Sequence, residues 1–258
     1  MNDGFDFDFD LDELAPADDA SAEAVERFWS GDLRALSRHH ITPDGSHGFV
    51  VAHDQSVTWG ALGEPEIMAI AVARDLSRFT FTLETSYHAT VPFAQAWLVE
   101  RGCPPEKIAK LYDDLVKPAD DLTVQVERKI RESGTRYEVL DTYTSDFDPS
   151  ETWTLTRDSR SVEAPIRIFH EEWESGADRY TMCEGAFADV DSARSWLDDR
   201  DGPLPEPPGY RYADGAVLRA RAALSRSVGA PAMPKAGLDA PRTPPAEPGR
   251  RLIQGRLM

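Results

Sequence analysis

Between Arg136 and Phe187 apolar and polar residues alternate with period two more strongly than anywhere else in the chain. That period places one set of side chains on a buried face and the other toward water, as a strand requires. It predicts strands over residues 136–144, 152–156, 166–173 and 179–187. Pro149 interrupts the first connection and Ser175-Gly176 turns the last. Short connections favour an antiparallel meander. Asp189 or Asp191 then caps a helix whose Ala193, Trp196 and Leu197 face the sheet.

Upstream the spacing is three to four residues and predicts helices. One starts from Ser21 with Ala24, Val25 and Phe28, then Leu33 and Leu36 beyond a break at Gly31-Asp32. Others are predicted over 64–78 (Ile67, Ile70, Ala71, Leu76), over 91–101 closed by Gly102, and over 106–116 opened by Pro104-Pro105. A further helix runs from Asp120 or Asp121 to Ser133, with Leu122, Val126 and Ile130 as its apolar stripe. A short hairpin (48–53 and 56–59) and a strand over 79–87 complete the pattern, and no internal repeat is found. The expected fold class is α+β: a four-stranded antiparallel meander with helices packed on one face and flexible termini. The expected division is an acidic-aromatic arm at 1–20, a single domain at 21–202, and a Pro-rich tail at 203–258 with one short helix over 216–227.

Composition narrows the class. At 258 residues with 41% hydrophobic side chains, the chain has enough apolar mass for a core. It holds no apolar run of membrane-spanning length, and its acidic start lacks the basic and apolar segments of a secretory signal, so a cytoplasmic protein is expected. Cys103 and Cys183 sit in no metal or redox spacing and read as small hydrophobes. The net charge of -18 is uneven: residues 201–258 carry nine Lys+Arg against five Asp+Glu, leaving 19 against 41 before them. Such a body repels nucleic acid and anionic membranes. Oligomeric state is not readable from any of this.

The arm has eight acidic residues and no basic one in its first 20 positions. Phe5, Phe7, Phe9 and Leu11 alternate with Asp6, Asp8 and Asp10, a pattern of disordered segments that order on a partner. A protein with a basic, apolar-lined groove would take Phe5, Phe7, Asp8, Phe9, Asp10 and Leu11. A solvated tail and a phosphate-mimicking strand are the competing readings. The Phe9-Asp10-Leu11-Asp12 run resembles the leader motif of some ribosomally made modified peptides. The Asp/Phe mixture resembles the acidic tip of single-stranded-DNA-binding proteins. Neither resemblance carries a function over.

Candidate chemistry is sparse. No zinc-type His/Cys spacing, phosphate loop or nucleophile elbow occurs, so neither metal nor cofactor is expected. The one constellation with catalytic potential lies on the last hairpin. His170 and Glu172 share a strand face with Ile166 and Ile168, while Glu184 shares one with Tyr180 and Met182. If the register joins those faces, an imidazole and two carboxylates border a wall containing Trp153 and Leu155, as acid–base chemistry needs. A one-residue slip would separate them. The run from Tyr180 through Glu184-Gly185-Ala186-Phe187-Ala188-Asp189 to Trp196-Leu197 resembles the strand–helix edge of the sporulation-related peptidoglycan-binding repeat family. There Gly185 permits the bend, Phe187 plugs under the helix and Asp189 caps it. Two functions follow as expectations: a non-enzymatic interaction or regulatory protein docking through its terminal segments, or a small enzyme or ligand binder with a His/carboxylate pocket on the sheet.

Overall fold

A computed structural model of the chain describes residues 9, 11–27, 32–41, 46–56, 63–112, 115–145, 150–174, 179–200 and 202–208. The class is α+β, with two five-stranded mixed sheets rather than one four-stranded meander. In the first sheet β2 (Leu33–Ile41), β3 (His47–Asp54), β4 (Ile67–Asp75) and β5 (Thr80–His88) form an antiparallel meander. The short β1 (Ala15–Pro16) adds parallel to β5, and α1 (Asp19–Arg27) links β1 to β2. Helix α2 (Val91–Glu100) follows β5, and a single turn, α3 (Pro105–Ile108), begins the connection to the second sheet.

The second sheet repeats this order: β6 (Lys117–Pro118), α4 (Asp121–Arg131), β7 (Tyr137–Ser145), β8 (Glu151–Asp158), β9 (Ile166–Glu174), β10 (Arg179–Phe187) and α5 (Val190–Asp199). Again the short first strand pairs parallel with the last long one. The chain is therefore an internal duplication, correcting the expectation that it has no repeat. The correspondence reaches single hydrogen bonds. Asp18 accepts from Ser21 N–H at 2.7 Å and Asp120 from Thr123 N–H at 2.8 Å, each capping its helix. The Ser21 and Thr123 hydroxyls in turn accept the Leu83 and Met182 amides, both at 3.2 Å. Both sheets carry a bulge in their first long strand, at Leu36 and at Leu140. In sequence the repeat survives as Pro-Ala-Asp-Asp at 16–19 and 118–121, and as Ala-x-Val-x-x-Ala-x-x-Trp-Leu-x-x-Arg at 89–101 and 188–200.

Helices cover both faces of each sheet, not one face as expected. On the first sheet, Val50, Ile70, Val72 and Leu83 pack on the α1 side, while Phe49, Val51 and Ala69 pack against Ala94 and Leu98 of α2. On the second, Phe169 and Met182 meet Val126 and Ile130 of α4; Leu155, Ile168 and Phe187 meet Ala193 of α5. Phe93 of α2 reaches over into the α4-side cluster, 5.4 Å from the Phe169 ring in an edge-on contact. Helices α2 and α4 thus lie between the two sheets.

Of three expected helices, two are strands and one is shortened. Strand β4, with the sequence IMAIAVARD, is buried on both faces, so it lacks alternation and its apolar spacing imitates a helix. Strand β2 likewise occupies the stretch containing Leu33 and Leu36. The predicted helix over 106–116 shrinks to α3. Chain ends also differ from expectation. Phe9 is buried in the α1-side core, and its carbonyl accepts from Arg74 Nε at 2.8 Å and from Nη2. The supposed tail contributes Leu204, which is buried in the α5-side cluster, and Pro205, whose carbonyl accepts the Ala186 amide at 2.9 Å. The expected helix over 216–227 and the terminal basic motif lie outside the described residues. No helix among the described residues is long and apolar enough to cross a membrane.

Candidate functional site

The register decides the fate of the predicted hairpin site. It pairs His170 with Cys183 and Phe169 with Glu184, so His170 and Glu184 project from opposite faces of the sheet. On the inner face, Glu184 is fully buried between Lys129 Nζ at 2.7 Å and Arg167 Nε at 3.6 Å. It joins two elements and does not border His170, which corrects the expected triad.

His170 and Glu172 do come together, with Glu151 of β8 as their third member. His170 Nε2 lies 2.8 Å from Glu151 and its Nδ1 3.9 Å from Glu172. Ligand atoms of all three fall within 4.8 Å of one another, a donor set a divalent cation could use where the sequence showed no metal spacing. Arg200, at the end of α5, already fills that role. Its Nη2 donates to Glu151 at 2.7 Å and its Nη1 stands 3.1 Å from His170 Nε2. Arg200 adopts a left-handed backbone, φ 52°, whereas its counterpart Arg101 has φ -90° and leaves the left-handed position to Gly102. The difference moves the guanidinium: Arg101 stacks 3.4 Å over Trp97, but Arg200 sits 5.1 Å from Trp196. Burial raises the Glu151 carboxyl, yet the His170 and Arg200 contacts outweigh it and hold the group below its ordinary value.

Of the predicted docking residues, Phe5, Phe7, Asp8 and Asp10 lie outside the described residues. Phe9 and Leu11 pack against the first sheet instead of facing a partner.

A cavity of about 330 Å³ lies where the inner faces of the two sheets diverge beyond α2. Leu36 and Ile67 of the first sheet, Val91 of α2, and Leu111, Leu115 and Val116 of the connection form its apolar wall. The second sheet presents Glu171, Trp173, Tyr180, Thr144 and Thr152; the first adds Arg34, His53 and Glu66. Polar groups here are incompletely answered. Thr90, 1% exposed at the N-terminus of α2, makes no side-chain cap bond, and neither its hydroxyl nor the buried Thr144 hydroxyl has a hydrogen-bond partner among the described residues. Glu171 is buried, and its desolvation, followed by the field of Glu127, pushes its carboxyl up to about 8, against a smaller opposing hydrogen bond from Trp173. Tyr180 donates its hydroxyl to Glu127, and His53 meets Glu66 at 3.1 Å.

Sequence reasoning passed over Glu171, Thr90 and Trp173 because it sought clusters on the other strand face. One signal was present: Phe169, Glu171 and Trp173 alternate on one face, and an acidic residue between two aromatics is out of place in a buried stripe. Comparison with known protein families, with characterised proteins and with solved structures finds no match to this chain.

Proposed function

We propose that this protein binds a small molecule in the cavity between its duplicated sheets. The carrying observation is the cavity itself, walled by apolar side chains of the first sheet and the connection and bordered by polar and aromatic groups of the second sheet. Such a wall offers a ligand apolar area to bury and a few polar groups to orient it. The volume suits a compact ligand, at the low end of the roughly 300–1,000 Å³ typical of small-molecule sites. The wall chemistry suits an apolar body with one polar end. This is binding, not turnover: the His170 cluster is neutralised by Arg200 and lies on the opposite face of the second sheet.

Saturation-transfer NMR with a panel of small amphiphiles tests the reading. Amphiphiles should bind the native protein and lose their signal on Val91→Phe, which fills the cavity from the first turn of α2. Undiminished transfer in a folded Val91→Phe variant would place binding elsewhere and sink the reading.

A further inference from the structure

Among the described residues, most buried or half-buried carboxylates face a cation or several hydrogen-bond donors, and Glu171 has neither. Glu184 has Lys129 and Arg167; Asp158 has Arg136 and Arg167; Glu151 has Arg200 and His170. Asp54 accepts from Ser56 and Tyr87. Glu171, 8% exposed, has no Lys, Arg or His within ion-pairing distance among the described residues, and Trp173 is the one side chain bonded to it. A buried carboxylate ordinarily demands a cation, and a protein that leaves one unanswered beside a cavity leaves the cation to an occupant.

The surroundings favour a positive charge there. Trp173 and Tyr180, rings 5.9 Å apart, line the cavity with Glu171 and offer the π-faces that receive organic cations. Glu127, behind Tyr180 on α4, adds a second negative field on Glu171. Across the cavity stand Arg34 of β2 and His53 of β3, the latter bonded to Glu66 just before β4. A head group near Trp173 and Tyr180 meets Glu171 with Glu127 behind it, while Arg34 and the His53–Glu66 pair stand on the opposite wall. At long range the net charge of -18 draws cations and repels anions.

Resting on the reading that the cavity holds a small molecule, we infer that its occupant is an organic amine. Its ammonium group sits between the Glu171 carboxylate and the rings of Trp173 and Tyr180, and its apolar body lies along Leu36, Ile67 and Leu115. Binding is proton-linked: the ammonium needs the carboxylate, so Glu171 gives up its proton to solvent as the amine enters. Its protonated form predominates below pH 8, so amine affinity climbs by about tenfold per pH unit between pH 6 and 7.5.

Calorimetry with matched heads on two bodies tests this: 3-phenylpropylamine, 3-phenylpropanol and 3-phenylpropionate, with hexylamine, hexanol and hexanoate. The expected result is an amine at least about tenfold tighter than its alcohol, a carboxylate weaker than both, and an amine affinity rising with pH. Glu171→Gln should erase the amine's advantage and its pH slope while the alcohol still binds; Glu172→Gln, on the opposite face of the sheet, should leave both intact. Alcohol or carboxylate binding as tightly as the amine, or an amine preference that survives Glu171→Gln, overturns the amine assignment and leaves the cavity reading standing. Binding by none of the six overturns both. If Glu171→Gln does not fold, the head series and pH slope of the native protein decide alone.

Discussion

Asp54 and Asp158 hold the same position in the two halves, closing β3 and β8, and are bonded to different partners. Each accepts the amide two residues on, from Ser56 and from Arg160, both at 3.0 Å. Beyond that turn Asp54 takes the Tyr87 hydroxyl at 2.7 Å, whereas Asp158 takes Arg136 at 2.8 and 2.6 Å and Arg167 at 3.2 Å. Duplication preserved the turn, and the partners diverged from hydroxyl to guanidinium.

Asp158→Ala should destabilise the fold by about 3–5 kcal/mol, because it removes the nearer of the two carboxylates that the buried Arg167 faces and the partner of Arg136; Asp54→Ala should lose about 1–3 kcal/mol. Burial raises the Asp158 carboxyl, but the Arg136 bonds prevail and hold it down at about 2. A group depressed on folding contributes stability above its unfolded value near 4, and that contribution is lost as pH falls from about 4 through about 2. Urea midpoints across pH 2–6 should fall less steeply for Asp158→Asn than for the native chain. Equal slopes would show that this aspartate does not drive acid unfolding.

Glu184 and Glu172, both read from the sequence as site residues, should separate cleanly. Glu184→Gln leaves Lys129 and Arg167 facing each other in the interior and should lose about 3–5 kcal/mol. Glu172→Gln touches a partly exposed carboxylate 3.9 Å from His170 and should change stability by less than about 1 kcal/mol. Chemical denaturation of both variants measures the difference.

Phe9→Ala should destabilise by about 3 kcal/mol or more, since its ring is 5% exposed in the α1-side core. A residue reserved for docking a partner would leave the melting temperature unchanged.

What the sequence revealed follows from how far each strand alternates. Strands β7 to β10 kept enough alternation to be found to within a few residues, and Asp120 and Asp189 were visible as caps. Strand β4 was hidden because it is buried along nearly its whole length, and β2 because the bulge at Leu36 puts Ala35, Leu36 and Ser37 inside together. The duplication was written in the chain, yet no single period describes it. Pro16 and Pro118 are 102 residues apart, Leu36 and Leu140 are 104 apart, and Trp97 and Trp196 are 99 apart, because the connecting loops differ in length. The cavity was unreadable in principle, since it forms from residues of both halves.

Gly185 illustrates a residue whose role the sequence misassigned. A Cβ there would stand 2.5 Å from Leu204 Cγ, so the glycine admits the 202–208 segment against β10 rather than permitting a bend. Gly185→Ala and Leu204→Ala should each lower the melting temperature. The double variant should be more stable than the sum of the two predicts, by about 1 kcal/mol or more, because the smaller Leu204 replacement makes room. Strict additivity in a thermal double-mutant cycle would dissociate the two positions.

The two halves should unfold as one unit despite their duplicated architecture. Repeats that touch only at a polar surface can melt separately, but Phe93 belongs to the first half by sequence and to the second by packing, edge-on to Phe169. A polar chain crosses the same boundary. Arg131 of α4 donates to Gln95 of α2 at 2.8 Å, Gln95 donates to the Ile108 carbonyl at 2.8 Å, and that carbonyl also accepts the Ser37 hydroxyl of β2 at 2.9 Å. Cutting the chain between halves would expose the Phe93 ring and take Arg131 from the buried Gln95 Oε1, so neither half retains a complete core. Urea transitions followed by tryptophan fluorescence, which sums six tryptophans spread over both halves, and by far-ultraviolet circular dichroism should therefore coincide. Phe93→Ala should shift both together by about 3–5 kcal/mol. A variant in which one signal moves and the other stays would show that the sheets hold their stability independently, and that the cavity between them opens without either half unfolding.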